Sequence, residues 1–367
     1  MLQAHGHEVI PYFRRNDEIK SFGVAQKLAF VGDTVYSRRT VREVRALVAA
    51  KRPDVAYIHN VYPLISPAIY HSLHALGIPV VQCIHDFRPL CPNGLFYTQQ
   101  KCCELCKHGN YLHGFVKKCY KDSYLFSGLY SLTLAINRSA KMMEKISAYV
   151  CLNHFYREKL LEVGVPSEKI YVRPNSIVAL AVASNASREP RDYAIFLGRL
   201  SPEKGLWTLL KAFEKVAPIR LKIVGSGPLE AELTAYIREK KLDNVEMVGF
   251  RSGDEKMHLL QGALFSIIPS EWHENFPVVS LESYAAAKPI VASRMGGLPS
   301  IIADGETGLL FTAGNADELA DKVRYLFANP REAERMGALA AKLAHTKYSR
   351  ETSYHNLMEI FQKVMAA

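Results

Sequence analysis

The chain of 367 residues lacks the features of a membrane-spanning or secreted protein. No stretch of about eighteen apolar residues runs without a charge, so a membrane-spanning helix is not expected. No cationic and apolar leader opens the sequence, so we expect a cytoplasmic protein. Seven cysteines are too few for a disulfide scaffold at this length, and in the cytoplasm their thiols should be reduced.

What the sequence does have is an excess of positive charge, and it lies entirely in the first half. Residues 1–175 hold 23 Lys and Arg against 13 Asp and Glu, whereas residues 176–367 hold 23 of each. A basic half favours an anionic partner, such as phosphate groups or an anionic membrane surface. A solvated surface without any partner explains the same charge equally well.

Strands and helices alternate along both halves, which is the pattern of parallel sheets covered on both faces. In the second half, "YAIFLGRL" (193–200), "GLWTLLKAFEKV" (205–216) and "IRLKIVGSG" (219–227) predict a strand, a helix and a strand that ends in a glycine loop. We therefore expect two Rossmann-like α/β domains facing a cleft. The predicted boundaries are a first domain at 1–175 with a Cys-rich insert at 87–122, a linker at 176–192, a second domain at 193–345, and a C-terminal helix within 346–367 that packs back toward the first domain.

The beginning of the sequence departs from this pattern. "MLQAHGHEVIPYF" opens with what resembles the last turn of a helix capped by Gly6, followed by a predicted strand at 7–13. A doubly wound domain normally begins with a strand, a glycine loop and a full helix. We therefore expect the first domain to lack its first strand and its glycine loop.

The stretch "SEWHENFPVVSLESYAAAKPIVAS" (270–293) predicts an anion-binding helix start flanked by carboxylates. Pro277 suits the first helical position because it has no amide hydrogen to leave unpaired. Glu274 on the preceding loop and Glu282 one turn into the helix would face the same cleft and accept hydrogen bonds from hydroxyl groups. The amides left free to bind an anion are those of Phe276, Val278 and Val279. This arrangement suits a phosphorylated, hydroxyl-rich ligand.

Two further strand ends carry groups that suit phosphate. "GRLSPEKG" (198–205) offers the forked donor Arg199 and the compact charge Lys204, and "VGSGP" (224–228) is another strand–glycine–helix turn. One glycine turn alone is a weak signal. Three such strand ends in one domain are a stronger one, because ligands bind outside the carboxyl ends of parallel strands.

These motifs, with "GGLPSIIADGETGLLF" and the E-x7-E spacing, resemble the retaining nucleotide-sugar glycosyltransferases of family 4, which have the GT-B architecture. The resemblance covers nearly all of 190–345 and extends more loosely over "PDVAYIHN", "PVVQCIHD" and "RPNSI" in the first half. It implies a retaining hexosyltransferase that needs no cofactor for catalysis. The implied partners are a nucleotide-diphosphate sugar donor and a saccharide or polyprenyl-diphosphate-linked acceptor, in surface polysaccharide biosynthesis at the inner face of the membrane.

The same resemblance implies roles for individual residues. Arg199 and Lys204 would neutralise the leaving diphosphate in a front-face displacement. Glu274 would contact the donor sugar, Glu282 the ribose hydroxyls, and His85 would lie near the reacting sugar. The remaining implied donor-binding residues are Gly198, Gly225, Phe250, Phe276, Val278 and Val279. The sequence departs from the family pattern at Ala287, where a glycine is usual.

Several interpretations compete with these assignments. Glu271 is another acid in the loop, and only the family spacing selects Glu274. His85 and His59 each follow a predicted strand, where a histidine can also serve the core. Trp272 and His273 could line the sugar pocket or merely cover it. A GT-B epimerase and a non-catalytic relative that only binds are the competing functions. We expect the amphipathic stretch 124–150 to be a core helix rather than a membrane face.

Four cysteines in the insert, C-x11-C-x2-C-x12-C, have the spacing of a structural zinc site with four thiolate ligands. They are Cys91, Cys103, Cys106 and Cys119. Cys102 competes with Cys103 for one position, and reduced buried thiols or a disulfide explain the cluster equally well. Family members that build surface polysaccharides resemble this insert. Basic residues surround it, but no recognition helix follows directly, so nucleic acid is not an expected partner.

Overall fold

The computed structural model describes residues 1–21, 23, 32–177 and 192–366. Its strands form two parallel sheets, with spatial orders β1-β2-β5-β6 and β12-β11-β10-β7-β8-β9, and an antiparallel β3-β4 pair. The strands are β1 Ala56–Ile58, β2 Val80–Ile84, β3 Tyr97–Thr98, β4 Lys101–Cys102, β5 Ala148–Cys151, β6 Ile170–Val172, β7 Tyr193–Leu197, β8 Arg220–Val224, β9 Val245–Gly249, β10 Phe265–Ile268, β11 Ile290–Ser293 and β12 Gly308–Phe311.

Helices alternate with the strands, as predicted, and several of them form the crossovers that parallel strands require, while others precede the first strand or follow the last. They are α1 Arg38–Lys51, α2 Ala68–Ala75, α3 Leu112–Val116, α4 Tyr124–Ser139, α5 His154–Glu162, α6 Leu206–Phe213, α7 Glu230–Glu239, α8 Gly253–Gly262, α9 Val278–Ala285, α10 Leu298–Ile301, α11 Ala316–Ala328, α12 Pro330–His345 and α13 Arg350–Ala366.

The central strands are apolar on both faces because helices cover both sides of each sheet. Every residue of β2, β5, β7, β10 and β11 is buried. A side chain caps α5: Asn153 accepts a hydrogen bond from the Tyr156 amide at its start. The α/β class, with two separate parallel sheets, is therefore confirmed.

The two halves share one apolar core at their junction. Val81 and Cys83 of β2 belong to the same buried cluster as Ile268 of β10 and Tyr284 of α9. α13 also packs against the first sheet: the Arg173 guanidinium donates to the Ser353 carbonyl at 3.0 Å and to its hydroxyl at 2.6 Å. Most of the predicted linker at 176–192 lies outside the described residues.

The predicted strand at 7–13 is wrong. Gly6 ends a short 3₁₀ helix, Leu2–His5, in the left-handed conformation, as its capping role requires. The residues after it form no strand and pair with none in the part of the chain that the structure describes. Pro11 has no amide to donate to a ladder. Side-chain hydrogen bonds instead tie His7 to Tyr354 and Tyr12 to Glu43.

The interpretation of 124–150 as a core helix is also wrong for much of its length. α4 ends at Ser139, and the stretch continues through a 3₁₀ turn into β5. The buried face of α4 consists mainly of small or polar residues: Ser127, Tyr130, Ser131, Thr133, Leu134 and Asn137. Large apolar side chains point outward, with Leu125 74% and Leu132 56% exposed. Apolar spacing alone did not reveal which side of this helix faces the protein.

Candidate active site

The predicted donor residues gather at one edge of the six-stranded sheet. β10, β7, β8 and β9 are parallel neighbours, so their carboxyl ends meet at the same edge. Arg199 follows β7, Gly225 follows β8, Phe250 follows β9, and the loop with Glu274 follows β10. A surface depression of about 560 Å³ lies elsewhere, between α6 and the start of α11, and none of these residues lines it.

Lys204 and Glu274 form the centre of this edge. The ammonium of Lys204 lies 2.7 Å from Glu274 Oε1, and the Ser270 hydroxyl donates to the same oxygen at 2.6 Å. Glu274 is only 4% exposed, and the Lys204 ammonium also lies 5.0 Å from the centre of the Trp272 ring. Glu271 instead accepts a hydrogen bond from Thr208 at 2.6 Å. Of the two loop acids, only Glu274 contacts the predicted phosphate-binding lysine.

Two glycines allow the backbone to approach closely here. A Cβ atom on Gly205, whose φ is +68°, would lie 1.9 Å from the Pro269 carbonyl oxygen. A Cβ atom on Gly225, at φ +151°, would lie 1.9 Å from the Gly198 carbonyl oxygen. These contacts exclude any side chain, so the two glycines fix the loops after β7 and β8 against their neighbours.

Glu282 lies one turn into α9, as predicted, and its carboxylate pairs with a lysine that the sequence did not indicate. The Lys256 ammonium of α8 is 2.5 Å from Glu282 Oε1. α9 begins at Val278, with Pro277 one position earlier than predicted, as the cap in an extended conformation. Val278 is exposed at this helix start, whereas Phe276 is buried in the core between the halves.

Arg199 and Phe250 are the exposed members of the set. Arg199 is exposed directly after Gly198, and Phe250 is 65% exposed at the end of β9. An exposed guanidinium can still bind an anion, and an exposed ring can still stack on a planar group. Both residues lie at the same sheet edge as Lys204, but their side chains remain exposed there.

Asn275 connects the donor loop to the first domain. Its amide donates to the Ile84 carbonyl at 3.1 Å, and it accepts hydrogen bonds from Asn153 at its side chain (2.8 Å) and at its carbonyl. Both asparagines are buried. Glu274 directly precedes Asn275 in the sequence, and His85 directly follows Ile84. One hydrogen bond between the two halves therefore ties the loop that holds Glu274 to the strand end that precedes His85.

His85 forms a pair with His59. His59 Nδ1 and His85 Nε2 are 2.8 Å apart, so one ring donates to the other. Burial, with smaller contributions from His85 and Arg173, lowers the pKa of His59 to about 4, and burial also lowers the pKa of His85. Both rings retain an exposed face, yet both are neutral at pH 7. His59 follows β1 as His85 follows β2. These matching positions after neighbouring parallel strands were the sequence signal that the two histidines could meet.

The two histidines and Cys83 are also candidate metal ligands, since their ligand atoms lie within 4.8 Å of one another. However, the ring nitrogens are already hydrogen-bonded to each other, and the Arg173 cation is near enough to lower the pKa of both rings. A nearby cation disfavours a second one. We therefore interpret this cluster as part of the acceptor side of the cleft.

His273 does not face the cleft as a free side chain but pairs with the Cys-rich insert. Its Nε2 lies 3.4 Å from Glu104 Oε1. Burial alone would lower the pKa of His273, but hydrogen bonds to Cys102 and Glu104 raise it to about 9. The same bond to His273, aided by Lys107 and Lys159, holds the pKa of Glu104 well below its usual value. Cys102 Sγ also donates to the Glu271 carbonyl at 3.5 Å.

The four predicted zinc ligands line one cavity of about 10 Å³ in the insert. Cys91, Cys103, Cys106 and Cys119 are all free thiols. Cys102, which competed with Cys103 in the sequence, is exposed and points to Glu271 instead.

Comparison with known families agrees with this geometry. Residues 1–178 match the family described as Glycosyltransferase Family 4, and residues 180–343 match Glycosyl transferases group 1. Together the two matches cover nearly the whole chain, each on the half where its domain lies. The chain belongs to the GT-B glycosyltransferases.

Individual relatives are more distant. The lipopolysaccharide 1,2-N-acetylglucosaminetransferase of Salmonella typhimurium is 28% identical over 236 residues, covering 58% of this chain and 59% of that protein. The D-rhamnosyltransferase WbpZ of Pseudomonas aeruginosa is 34% identical over 147 residues, covering 40% and 38%. The chain spans about half the length of the curated relatives it matches. The crystal structure of Anabaena HepE in complex with UDP superposes with a TM-score of 0.65 at 18% identity, covering 88% of this chain and 82% of that one.

Proposed function

We propose that this protein is a retaining glycosyltransferase that moves a sugar from a nucleotide-diphosphate donor to a saccharide or lipid-linked acceptor. The single observation that carries the proposal is the Lys204–Glu274 pair at the sheet edge, on a loop that the Asn275–Ile84 hydrogen bond ties to the end of β2, directly before His85. Solved relatives support a nucleotide donor, since Anabaena HepE has been crystallised with UDP and with UDP-glucose.

The side chains at this edge suit the departure of a diphosphate. Arg199, Lys204 and the start of α9 offer positive charge where the leaving group would accumulate negative charge. Lys204 is fixed by Glu274, so its ammonium needs little reorganisation during transfer. A diphosphate stabilised by these groups can leave from the face that the acceptor hydroxyl enters, which retains the configuration of the sugar. Glu282 and Phe250 would contact the ribose and the base.

The proposal is tested by donor binding followed by product analysis. Thermal unfolding of the full chain would be measured with a panel of nucleotide-diphosphate sugars, because a bound ligand raises Tm. The stabilising donor would then be incubated with saccharide and polyprenyl-diphosphate acceptors, and the anomeric configuration of the product determined by NMR. We expect a retained configuration. An inverted product, or free nucleotide and an epimerised sugar without any acceptor, would contradict it.

The acceptor half carries a surface that suits an anionic membrane. Apolar side chains on α3 and α4 form what we call the α3–α4 patch. Its exposed members are Leu112, Phe115, Val116, Tyr124, Leu125, Phe126, Leu132 and Ile136. The two helices meet within the patch, because the Phe115 ring of α3 and the Tyr124 ring of α4 lie 5.3 Å apart. No helix within the described residues is long and apolar enough to cross a bilayer.

Lysines surround this patch with positive charge. The Lys118 ammonium lies 4.6 Å from the centre of the Tyr124 ring, and that of Lys121 lies 5.0 Å from the Phe126 ring. Apolar side chains edged by lysines bind anionic lipid headgroups through both burial and charge. We therefore infer that the patch docks on an anionic membrane and brings the cleft to a lipid-linked acceptor.

Cosedimentation with vesicles tests the docking. We expect binding to phosphatidylglycerol vesicles but not to phosphatidylcholine vesicles, with Leu125→Glu/Leu132→Glu and Lys118→Glu/Lys121→Glu each weakening binding by about tenfold or more. Leu76→Glu, an exposed leucine at the end of α2, is the matched control and should bind normally. Absence of binding to anionic vesicles, or a dimer in solution that the Leu125→Glu/Leu132→Glu variant dissociates, would contradict the inference.

A further inference from the structure

The Cys-rich insert has little regular structure to hold it together. Between residues 91 and 119 it contains only the two-residue strands β3 and β4 and the five-residue helix α3. Isolated two-stranded ribbons and one-turn helices are not stable by themselves. Segments of this size usually depend on a disulfide or a metal for their stability.

The backbone of the insert is also unusually constrained. Six of the eleven described non-glycine residues with positive φ lie in it: Phe96, Gln99, Gln100, Lys118, Lys121 and Asp122. Such conformations cost about 1 kcal/mol or more each and persist only where the surroundings enforce them. Lys118 directly precedes Cys119, so part of this strain is located where a thiol is directed into the cavity.

Four thiols converge from separate segments on the cavity in this insert. Cys91 lies in the turn after Phe87, Cys103 directly follows β4, Cys106 lies in the next turn, and Cys119 follows α3. All four are free. Their side chains line the same small cavity. Four ligands from different positions in the chain can enclose one metal ion and so hold a loop-rich segment together.

We propose that these four cysteines bind one structural zinc ion as thiolates. Four soft sulfur ligands without an open position suit a closed tetrahedral Zn²⁺ site. No three of the sulfur atoms yet lie within 4.8 Å of one another, so the Zn–S bonds, about 2.3 Å long, would draw them together. Loss of four thiol protons and binding of Zn²⁺ leaves the site with two negative charges.

Neighbouring polar groups suit that negative charge. The Lys117 ammonium lies 3.9 Å from Cys103 Sγ, where its positive charge would offset part of the negative charge of a four-thiolate zinc site. His113 also lines the cavity, but its Nε2 is 3.3 Å from the Asn110 side-chain amide. We therefore assign the four ligand positions to sulfur and place Lys117 and His113 around them.

The site would fix the part of the insert that touches the donor loop. The segment 101–107 carries two of the ligands, and between them Glu104 pairs with His273, one residue from Glu274. Cys102, adjacent to Cys103, donates to the carbonyl of Glu271. Zinc would thus stabilise the position of the 271–275 loop from the acceptor side. This consequence rests on the proposed function, whereas the metal site does not.

Metal content tests the site without any activity measurement. The full chain would be produced in zinc-supplemented medium and purified without chelators, with zinc measured by mass spectrometry. We expect about one zinc per chain in the parent and in Cys102→Ser, and about a tenth or less in Cys103→Ser and in Cys106→Ser. The adjacent pair Cys102 and Cys103 is the matched control, since both are cysteines of the same hairpin.

Cobalt substitution of the parent provides a second measurement if the Cys103→Ser and Cys106→Ser variants do not fold. We expect the intense absorption bands of tetrahedral cobalt with four thiolates. A parent chain that purifies without zinc, a disulfide among the four cysteines, or a cobalt spectrum without thiolate bands would overturn the proposal. Zinc kept by Cys103→Ser and lost in His59→Ala would place the ion at the histidine pair and would also overturn it. Zinc with no transferase activity would leave the site intact and refute only the function.

Discussion

The two halves of this protein use the same fold for different surfaces. The second half has a six-stranded sheet, no net charge, and its predicted ligand-binding residues at one sheet edge. The first half has a four-stranded parallel sheet in its described part, carries the whole excess of positive charge, and contains the irregular insert. Of the eighteen exposed large apolar side chains in the described residues, thirteen precede residue 176. The second half thus concentrates its predicted binding residues at one sheet edge, whereas the first half holds most of the exposed apolar side chains.

The largest expected effect is in the second half. Under the proposed mechanism, Glu274→Ala and Lys204→Ala should each reduce kcat about 10²- to 10³-fold, because each removes one partner of the ion pair proposed to stabilise the leaving group. Initial rates with saturating donor measure this, and circular dichroism confirms that the fold is retained. Lys215→Ala, on the surface after α6, serves as the control. Full activity in both site variants would remove the mechanism.

The junction between the halves should give the next largest effect. Asn275→Ala removes the hydrogen bond to Ile84 and the side-chain acceptor for Asn153, which weakens the connection between the two halves at the cleft. We expect kcat to fall about 10- to 100-fold, since small misplacements of reacting groups are costly. Asn329→Ala, remote from the cleft, should have normal kinetics. If Asn275→Ala changes stability but not kcat, then the junction is only structural.

The ion pair between insert and donor loop should affect stability in a pH-dependent way. The pKa of Glu104 is lowered in the fold, so its ionised carboxylate stabilises the protein fully above pH 4.5, the pKa in the unfolded chain. This stabilisation is lost as the pH falls below 4.5. His273, with a pKa raised to about 9, contributes fully below 6.5, and its contribution is lost as pH rises through about 9. The Glu104–His273 pair therefore stabilises the fold most between pH 4.5 and 6.5, the two pKa values of the unfolded chain. Lys107, Lys159 and Cys102 are the other titratable groups that contact this pair.

Glu104→Gln tests this pair. We expect a loss of about 1 to 3 kcal/mol near pH 6, measured by denaturant unfolding, and a smaller loss near pH 9.5, where His273 is neutral in both variants. Glu158→Gln, an exposed carboxylate on α5, is the control and should show little change at either pH. An equal loss at both pH values would show that the Glu104 contribution comes from Lys107 and Lys159 alone.

The smallest expected effect is a gain in the second half. Ala287 follows α9 with φ +54°, and the Lys288 amide bonds back to Ser283 as in a glycine-terminated helix. Ala287→Gly should stabilise the chain by about 0.5 to 1 kcal/mol by relieving this strain. Ala286→Gly, at φ −81°, should destabilise it instead. Equal signs for both substitutions would contradict this account.

Sequence reasoning succeeded where local signals are strong. The alternation of strands and helices gave the α/β class, and the motifs of the second half gave the family. It failed at 7–13, where apolar residues suggested a strand that Pro11 helps to prevent. It also failed on α4, because apolar periodicity locates a stripe but does not show what the stripe faces.

The sequence by itself determined the fold class, the family and the composition of the donor edge, because strands, glycine turns and helix starts depend on residues close together in the chain. Only the tertiary structure decided which side chains meet. Asn275 reaches a carbonyl 191 residues away, His59 approaches His85 through strand pairing, and Cys103 rather than Cys102 enters the cavity. These contacts depend on how whole sheets and domains pack, and no local pattern encodes that packing.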